Sequence, residues 1–135
     1  MYYRNAAAAI LVVDVTQPNS LAVAERWIMD VRQKTEGSDC YIILAVNKID
    51  LPNRSITQDS VAAFCEEKGI ESIETSALSG YQVDELFDRV CTKCVSDLRR
   101  RSFSLSPVDS VAKPENVIQC IEPVKDAGKK SKGCC

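Results

Sequence analysis

The 135-residue sequence contains no histidine and no apolar run long enough to span a bilayer. Without histidine, the chain cannot use an imidazole as a general base or as a metal ligand. A membrane-spanning helix needs about 18 or more consecutive apolar residues, and no segment reaches that length. The formal net charge of −2 gives no reason to expect a nucleic acid partner. What is present, 45% hydrophobic and 27% charged residues, suits one small domain.

Seven cysteines are scattered along the chain, and no signal peptide is recognisable at its start. This pattern predicts reduced thiols in a cytoplasmic protein rather than a disulfide framework. Cys91 and Cys94 have the C-x-x-C spacing of a metal or redox site. They fall within a predicted helix, however, and no second pair of ligands accompanies them, so we expect them to pack in that helix.

Strands and helices alternate along the chain, which is the pattern of a parallel α/β sheet. Apolar runs predict strands at residues 6–15, 40–46 and 70–74. Helical spacing of apolar residues predicts helices at residues 20–34, 58–68 and 83–100. Thr57 is expected to cap the second helix and Gly69 to terminate it. Trp27 and a stripe on the last helix are expected in the core; the stripe comprises Leu86, Phe87, Val90, Cys94 and Leu98.

The motif Asn47-Lys48-Ile49-Asp50 follows the second predicted strand directly. Ligands of open α/β sheets bind at the carboxyl ends of the strands, so the motif lies where a ligand is expected. An aspartate carboxylate there can accept two hydrogen bonds from the N1 and N2 donors of guanine, a donor pair that adenine lacks. The motif therefore predicts recognition of a guanine base, although a polar turn after a strand is the simpler alternative.

A second motif, Glu74-Thr75-Ser76-Ala77-Leu78, follows the third predicted strand. With both motifs, the chain resembles the small GTPases of the Ras superfamily and, within them, the Rab type. Further Rab-like features are Met1-Tyr2-Tyr3-Arg4, Asp14-Val15-Thr16, Arg26-Trp27 and the terminal Cys134-Cys135. The resemblance implies guanine nucleotide binding and a role in vesicle-mediated transport.

The resemblance assigns roles to the three polar residues of the first motif. Asp50 is the expected guanine-specificity carboxylate, and Asn47 the side chain that braces the base and ties this loop to the phosphate loop. Lys48 lays its methylene stem along the base in the family, where its ammonium reaches carbonyls of the phosphate loop. Because those carbonyls are missing here, we expect the Lys48 ammonium to be solvated.

In the second motif, the resemblance assigns Ser76 and Ala77 a backbone contact to the base oxygen. Leu78 stands where the family has a lysine, so apolar packing replaces a charge. Asn5 likewise replaces a glycine after Tyr2-Tyr3-Arg4, a change that asparagine tolerates because it visits the left-handed region.

Parts that carry the family's chemistry are missing from these residues. None of the five glycines opens a G-x-x-x-x-G-K-[ST] phosphate loop, and the switch threonine and D-x-x-G-Q segment are also missing. We therefore expect residues 1–101 to form an N-terminally truncated GTPase domain, a partial P-loop NTPase-like sheet of about three strands. GTP or GDP would bind weakly or not at all, Mg²⁺ has no ligands, and no catalytic residue is assigned. The strand at residues 6–15 would lie at an open sheet edge, which favours pairing with another chain.

Residues 102–135 are predicted to be a flexible tail, because serine and proline interrupt the helical pattern. Cys134 and Cys135 resemble the Rab double-cysteine signal for geranylgeranylation, preceded by Lys125, Lys129, Lys130 and Lys132. The implied partners are the Rab escort and prenylation machinery, and the implied location is the cytoplasmic face of an internal membrane. Where the tail begins, Arg99-Arg100-Arg101-Ser102 fits either a basophilic kinase site or a charged helix end.

Two other classes of protein fit the same residues. The chain could be a non-catalytic interaction protein that competes for prenylation or escort factors through its tail. It could also be a fragment of a longer GTPase from an incomplete gene model.

Overall fold

The computed structural model describes residues 6–35 and 39–104, and for Phe103 and Ser104 it describes the backbone alone. Three strands alternate with three helices in the order β1 (Ala8–Asp14), α1 (Ser20–Lys34), β2 (Tyr41–Asn47), α2 (Gln58–Lys68), β3 (Glu71–Glu74) and α3 (Val83–Ser104). The strands form one parallel sheet in the order β1-β2-β3. The α/β class and the three-stranded parallel sheet are thus confirmed.

Each face of the sheet is covered by helices, because alternate residues of a strand point to opposite faces. On one face, α1 and α2 pack over Leu11, Leu44 and Val46 through side chains that include Ile28 and Val61. On the other face, α3 packs over a second cluster, whose buried members are Ile10, Ile43, Ala45, Ile73, Leu86 and Val90. The result is a three-layer arrangement in which β2 is central and buried on both sides.

Residues at the two ends of α2 determine where this helix begins and ends. Thr57 lies in an extended conformation before the helix, and its hydroxyl accepts a hydrogen bond from the Ser60 N–H at 3.1 Å. Gly69 ends the helix with φ +62°, a left-handed conformation that costs glycine little. Both expected caps are confirmed, and the predicted bounds of α1 and α2 match the structure.

Helix α3 is longer than predicted, since it continues to Ser104 rather than ending near residue 100. Arginine is a good helix former and serine only a moderately poor one, so residues 99–102 do not stop the helix. The Ser102 hydroxyl donates to the Leu98 carbonyl at 3.0 Å, which is compatible with helical geometry. Leu98, expected in the core, is 46% exposed because α3 extends past the sheet there.

Strand β1 lies at an edge of the sheet, as predicted. Within the described residues, it pairs with β2 alone, in a register that runs from Ala8 opposite Tyr41 to Asp14 opposite Asn47. Trp27 is partly buried against the α1 and α2 cluster, so its expected place in the core is only partly confirmed.

Candidate functional site

The carboxyl ends of the three strands lie side by side and carry polar residues. Asp14 and Asn47 are register partners at the ends of β1 and β2. Beyond them, the Val15 N–H donates to the Asn47 carbonyl at 3.0 Å, and the Thr75 N–H donates to the Val46 carbonyl at 2.8 Å. These bonds continue the sheet ladder into the loops, so both predicted motifs are held at the same edge.

The loop after β2 turns sharply at Lys48. Its φ is +68°, which is unusual for a residue with a Cβ and costs about 1–2 kcal/mol. The Leu51 N–H closes the turn on the Lys48 carbonyl at 3.1 Å. The turn brings Asp50 back toward the loop that follows β3.

Asp50 meets Ser76 across the gap between the two loops. The Ser76 hydroxyl donates to Oδ1 of Asp50 at 2.5 Å, and it accepts a hydrogen bond from the Ser79 N–H at 3.2 Å. Ser76 is 1% exposed, whereas Asp50 is exposed. Oδ2 of Asp50 accepts no hydrogen bond from any described residue, so a fixed carboxylate edge faces solvent.

Asn47 connects the same two loops through its side-chain oxygen. Its Oδ1 accepts hydrogen bonds from the Ala77 N–H at 3.0 Å and from the Thr75 hydroxyl at 3.4 Å. The side chain is therefore placed by the second motif, which supplies a partner within these residues.

The backbone N–H groups expected to contact a base oxygen are already engaged. The Ser76 N–H donates to the Tyr81 carbonyl at 3.1 Å, and the Ala77 N–H donates to Asn47. The next N–H, that of Leu78, donates to none of the residues that the structure describes, and the Leu78 side chain is 86% exposed. Of these three N–H groups, that of Leu78 is therefore the one open to an acceptor from outside the described residues.

The expectation of a solvated Lys48 ammonium is wrong. Lys48 Nζ lies 2.7 Å from Oδ2 of Asp14, in an ion pair whose side chains are 51% and 18% exposed. With no phosphate-loop carbonyl in reach, the ammonium pairs with the carboxylate at the end of the neighbouring strand. Lys48 is consequently extended across the ends of β1 and β2.

Asp14 is a member of the site that the sequence reasoning missed. Its Oδ1 accepts hydrogen bonds from the Thr16 N–H at 2.9 Å and from the Thr16 hydroxyl at 2.7 Å. Burial raises the pKa of Asp14, but the bonds from Lys48 and Thr16 outweigh burial and lower the pKa below its ordinary value. A carboxylate at the carboxyl end of a predicted parallel strand was the available signal.

The part of the chain that the structure describes contains no group of three acidic, cysteine or histidine side chains able to hold a metal ion. Nor is any helix among the described residues long and apolar enough to cross a membrane.

Comparison of the sequence with protein families identifies the family of this chain. The Ras family model matches residues 1–96, which include both loops of the site. The chain belongs to the Ras family.

Its relatives place it among the Rab-type members. It is 39% identical over 100 residues to a Ras-related protein, Rab-5B, of Dictyostelium discoideum, covering 73% of this chain and 46% of that protein. It is 35% identical to the Ras-related protein YPTC6 of Chlamydomonas reinhardtii, over 99% of this chain and 62% of that protein. A Rab5 of Nicotiana tabacum is 38% identical over 69% of this chain and 46% of its own length. The chain thus spans about half to three-fifths of the length of these relatives.

Several residues that support the Rab resemblance lie outside the described residues. They are Met1, Tyr2, Tyr3, Arg4 and Asn5 at the start of the chain and the two expected lipidation sites, Cys134 and Cys135.

Proposed function

We propose that this Rab-type chain recognises guanine nucleotides through the base, as part of a small GTPase that regulates vesicle-mediated transport. The observation that carries the proposal is the carboxylate of Asp50, fixed at Oδ1 by buried Ser76 and open at Oδ2. A guanine-reading group needs this combination of a fixed position and an accessible edge.

The chemistry of the base gives the specificity. Guanine presents its N1 and N2 hydrogens on one edge, and a carboxylate accepts both. Adenine has an acceptor at N1 and no amino group at C2, so Asp50 would face a lone pair. Leaving that carboxylate unpaired disfavours adenine by the cost of an unmet charged hydrogen bond, about 1.5–3 kcal/mol.

Recognition of the phosphates has no counterpart in these residues. The sequence contains no G-x-x-x-x-G-K-[ST] loop, and the Lys48 ammonium forms an ion pair with Asp14. Because phosphate and magnesium contacts supply much of nucleotide affinity, the 135-residue chain should bind GTP and GDP weakly. We expect it to hydrolyse no GTP by itself.

The specificity is tested by comparing Asp50→Asn with the native chain. An amide NH₂ can donate to xanthine, which carries an oxygen where guanine carries its amino group. We expect the variant to prefer xanthosine diphosphate and the native chain to prefer guanosine diphosphate, measured by calorimetric or NMR titration. Asp88→Asn, on an exposed position of α3, is the matched control and should keep the native preference. If Asp50→Asn leaves the preference unchanged, the assignment of Asp50 is wrong.

The tail supports a second part of the proposal, membrane attachment by prenylation of Cys134 and Cys135 with the help of escort factors. Two lipid chains anchor stably where one is marginal, and each nearby lysine adds about 1 kcal/mol on an anionic surface. Cell fractionation should find the native chain on membranes and the Cys134→Ser, Cys135→Ser variant in the soluble fraction. Recovery of the native chain in the soluble fraction with both thiols free would exclude prenyl anchoring.

A further inference from the structure

The last turns of α3 bring together three arginines and a serine on an exposed surface. Arg99, Arg100, Arg101 and Ser102 are consecutive, and all four are exposed. The Arg101 guanidinium lies 4.0 Å from the Asp39 carboxylate, with side-chain exposures of 55% and 97%. An ion pair so exposed holds its partners weakly. The Arg101 guanidinium is therefore available to a negatively charged partner surface, with the exposed side chains of Arg99 and Arg100 beside it.

Among the described residues, the hydroxyl of Ser102 is hydrogen-bonded within its own helix. It donates to the Leu98 carbonyl at 3.0 Å, one turn earlier. The final carbonyls of a helix have no intrahelical partners, and the last turn opens readily. Leu98, one turn before Ser102, is itself 46% exposed, so its apolar side chain holds this part of the helix only weakly against the sheet. Residues 99–102 can therefore become extended while α3 stays packed through Leu86 and Val90.

We propose that Ser102 is a phosphorylation site for an ATP-dependent protein kinase that selects arginine N-terminal to its acceptor. Arg99 and Arg100 would form charge-assisted hydrogen bonds with carboxylates in the kinase's substrate groove. Oγ of Ser102 attacks the γ-phosphorus of ATP, and the bond from that phosphorus to the bridging oxygen of ADP breaks. The hydroxyl proton passes to the catalytic aspartate of the kinase, and ADP leaves.

This site is separate from the guanine site. Arg100 and Arg101 line an open cavity of ≈ 580 Å³ with Tyr41 and Glu71, the first residues of β2 and β3. The end of α3 thus lies at the amino ends of the strands, whereas Asp50 lies at their carboxyl ends. The proposal does not depend on nucleotide binding, and its test can fail without affecting the proposed function.

The test uses the full 135-residue chain, ATP and the catalytic subunit of cAMP-dependent protein kinase, with the modified residue located by mass spectrometry. We expect one phosphate at Ser102, none there in Ser102→Ala, and no loss in Ser104→Ala. Arg99→Ala with Arg100→Ala should lower kcat/KM for the chain by about tenfold or more, because two charged contacts are lost. The matched control, Arg26→Ala with Arg89→Ala, removes two arginines from other exposed helix positions and should keep the native rate.

A synthetic peptide of residues 96–106 separates sequence preference from accessibility in the folded chain. Because the last turn opens readily, the chain and the peptide should be phosphorylated within about tenfold of each other. Three outcomes would overturn the proposal: phosphate on another residue, an unchanged rate without Arg99 and Arg100, or a chain that reacts more than about a hundredfold more slowly than the peptide.

Discussion

The ion pair between Lys48 and Asp14 changes what Lys48 is available to do. In the bare chain, its ammonium neutralises a carboxylate that also accepts two hydrogen bonds from Thr16. Any phosphate that approached Lys48 would have to compete with Asp14. The conformation of Lys48, with φ +68°, further fixes where its side chain begins. The Lys48 side chain therefore contributes an ion pair to the folded chain.

The lowered pKa of Asp14 predicts a pH dependence of stability. A carboxyl whose pKa is lower in the folded state stabilises the fold above its ordinary pKa, here 3.8, and this stability is lost as the pH falls through the folded value. As the pH is lowered below about 4, the free energy of unfolding should therefore decrease more steeply in the native chain than in Asp14→Asn. Urea unfolding at several pH values measures this.

Asp88→Asn is the control for that experiment, since it removes an exposed carboxylate on α3. It should retain the native acid dependence. Equal pH profiles for the native chain and Asp14→Asn would show that Asp14 contributes nothing to acid sensitivity.

At the scale of elements, prediction from sequence succeeded where a local signal marks a boundary. Thr57 and Gly69 bracket α2 as expected, because a capping hydroxyl and a left-handed glycine act within a few residues. It failed at the end of α3, because Ser102 is tolerated inside the helix and does not end it. Amino-acid composition alone does not distinguish a serine that ends a helix from a serine inside one.

In the candidate site, some residues were predictable from sequence motifs and others only from the tertiary structure. Asn47, Asp50 and Ser76 were predicted from motifs, and the structure brings all three together. Asp14 lies more than 30 residues earlier, and only the register of β1 on β2 places it beside Lys48. The engagement of the Ser76 and Ala77 N–H groups within the chain also follows from tertiary contacts that the motif does not encode.

The edge of β1 predicts self-association of the 135-residue chain. The Tyr41 N–H donates to the Ala7 carbonyl, and the Val15 N–H donates to the Asn47 carbonyl. Because strand residues alternate, backbone groups of even-numbered residues from Ala8 to Val12 point away from β2. Neither lysine nor proline protects this edge.

We expect the chain to associate with rising concentration, and Ala8→Lys to reduce the association, because a charge at a strand edge opposes pairing. Sedimentation velocity measures both. Ala22→Lys, on an exposed position of α1, adds the same charge away from the edge and should associate like the native chain. A native chain that stays monomeric at about 100 µM would show that the edge is not available for pairing.

At the scale of the whole molecule, the proposed function separates base recognition from phosphate recognition. In the proposed function, the Asp50 carboxylate held by Ser76 would read guanine at the carboxyl ends of β2 and β3, whereas the sequence contains no G-x-x-x-x-G-K-[ST] loop to hold the phosphates. A protein with this division should discriminate between bases while holding any nucleotide weakly. We therefore expect this chain to show base specificity without high nucleotide affinity.

An NMR titration of the 135-residue chain with GDP and with ADP tests this claim most directly, because it reports both the location and the strength of weak binding. The account predicts that GDP shifts the amide resonances of residues 47–50 and 76–78, with a Kd of roughly hundreds of micromolar or weaker. ADP should leave those resonances unchanged. Equal shifts with both nucleotides, shifts confined to other residues, or a nanomolar Kd for GDP would contradict the account.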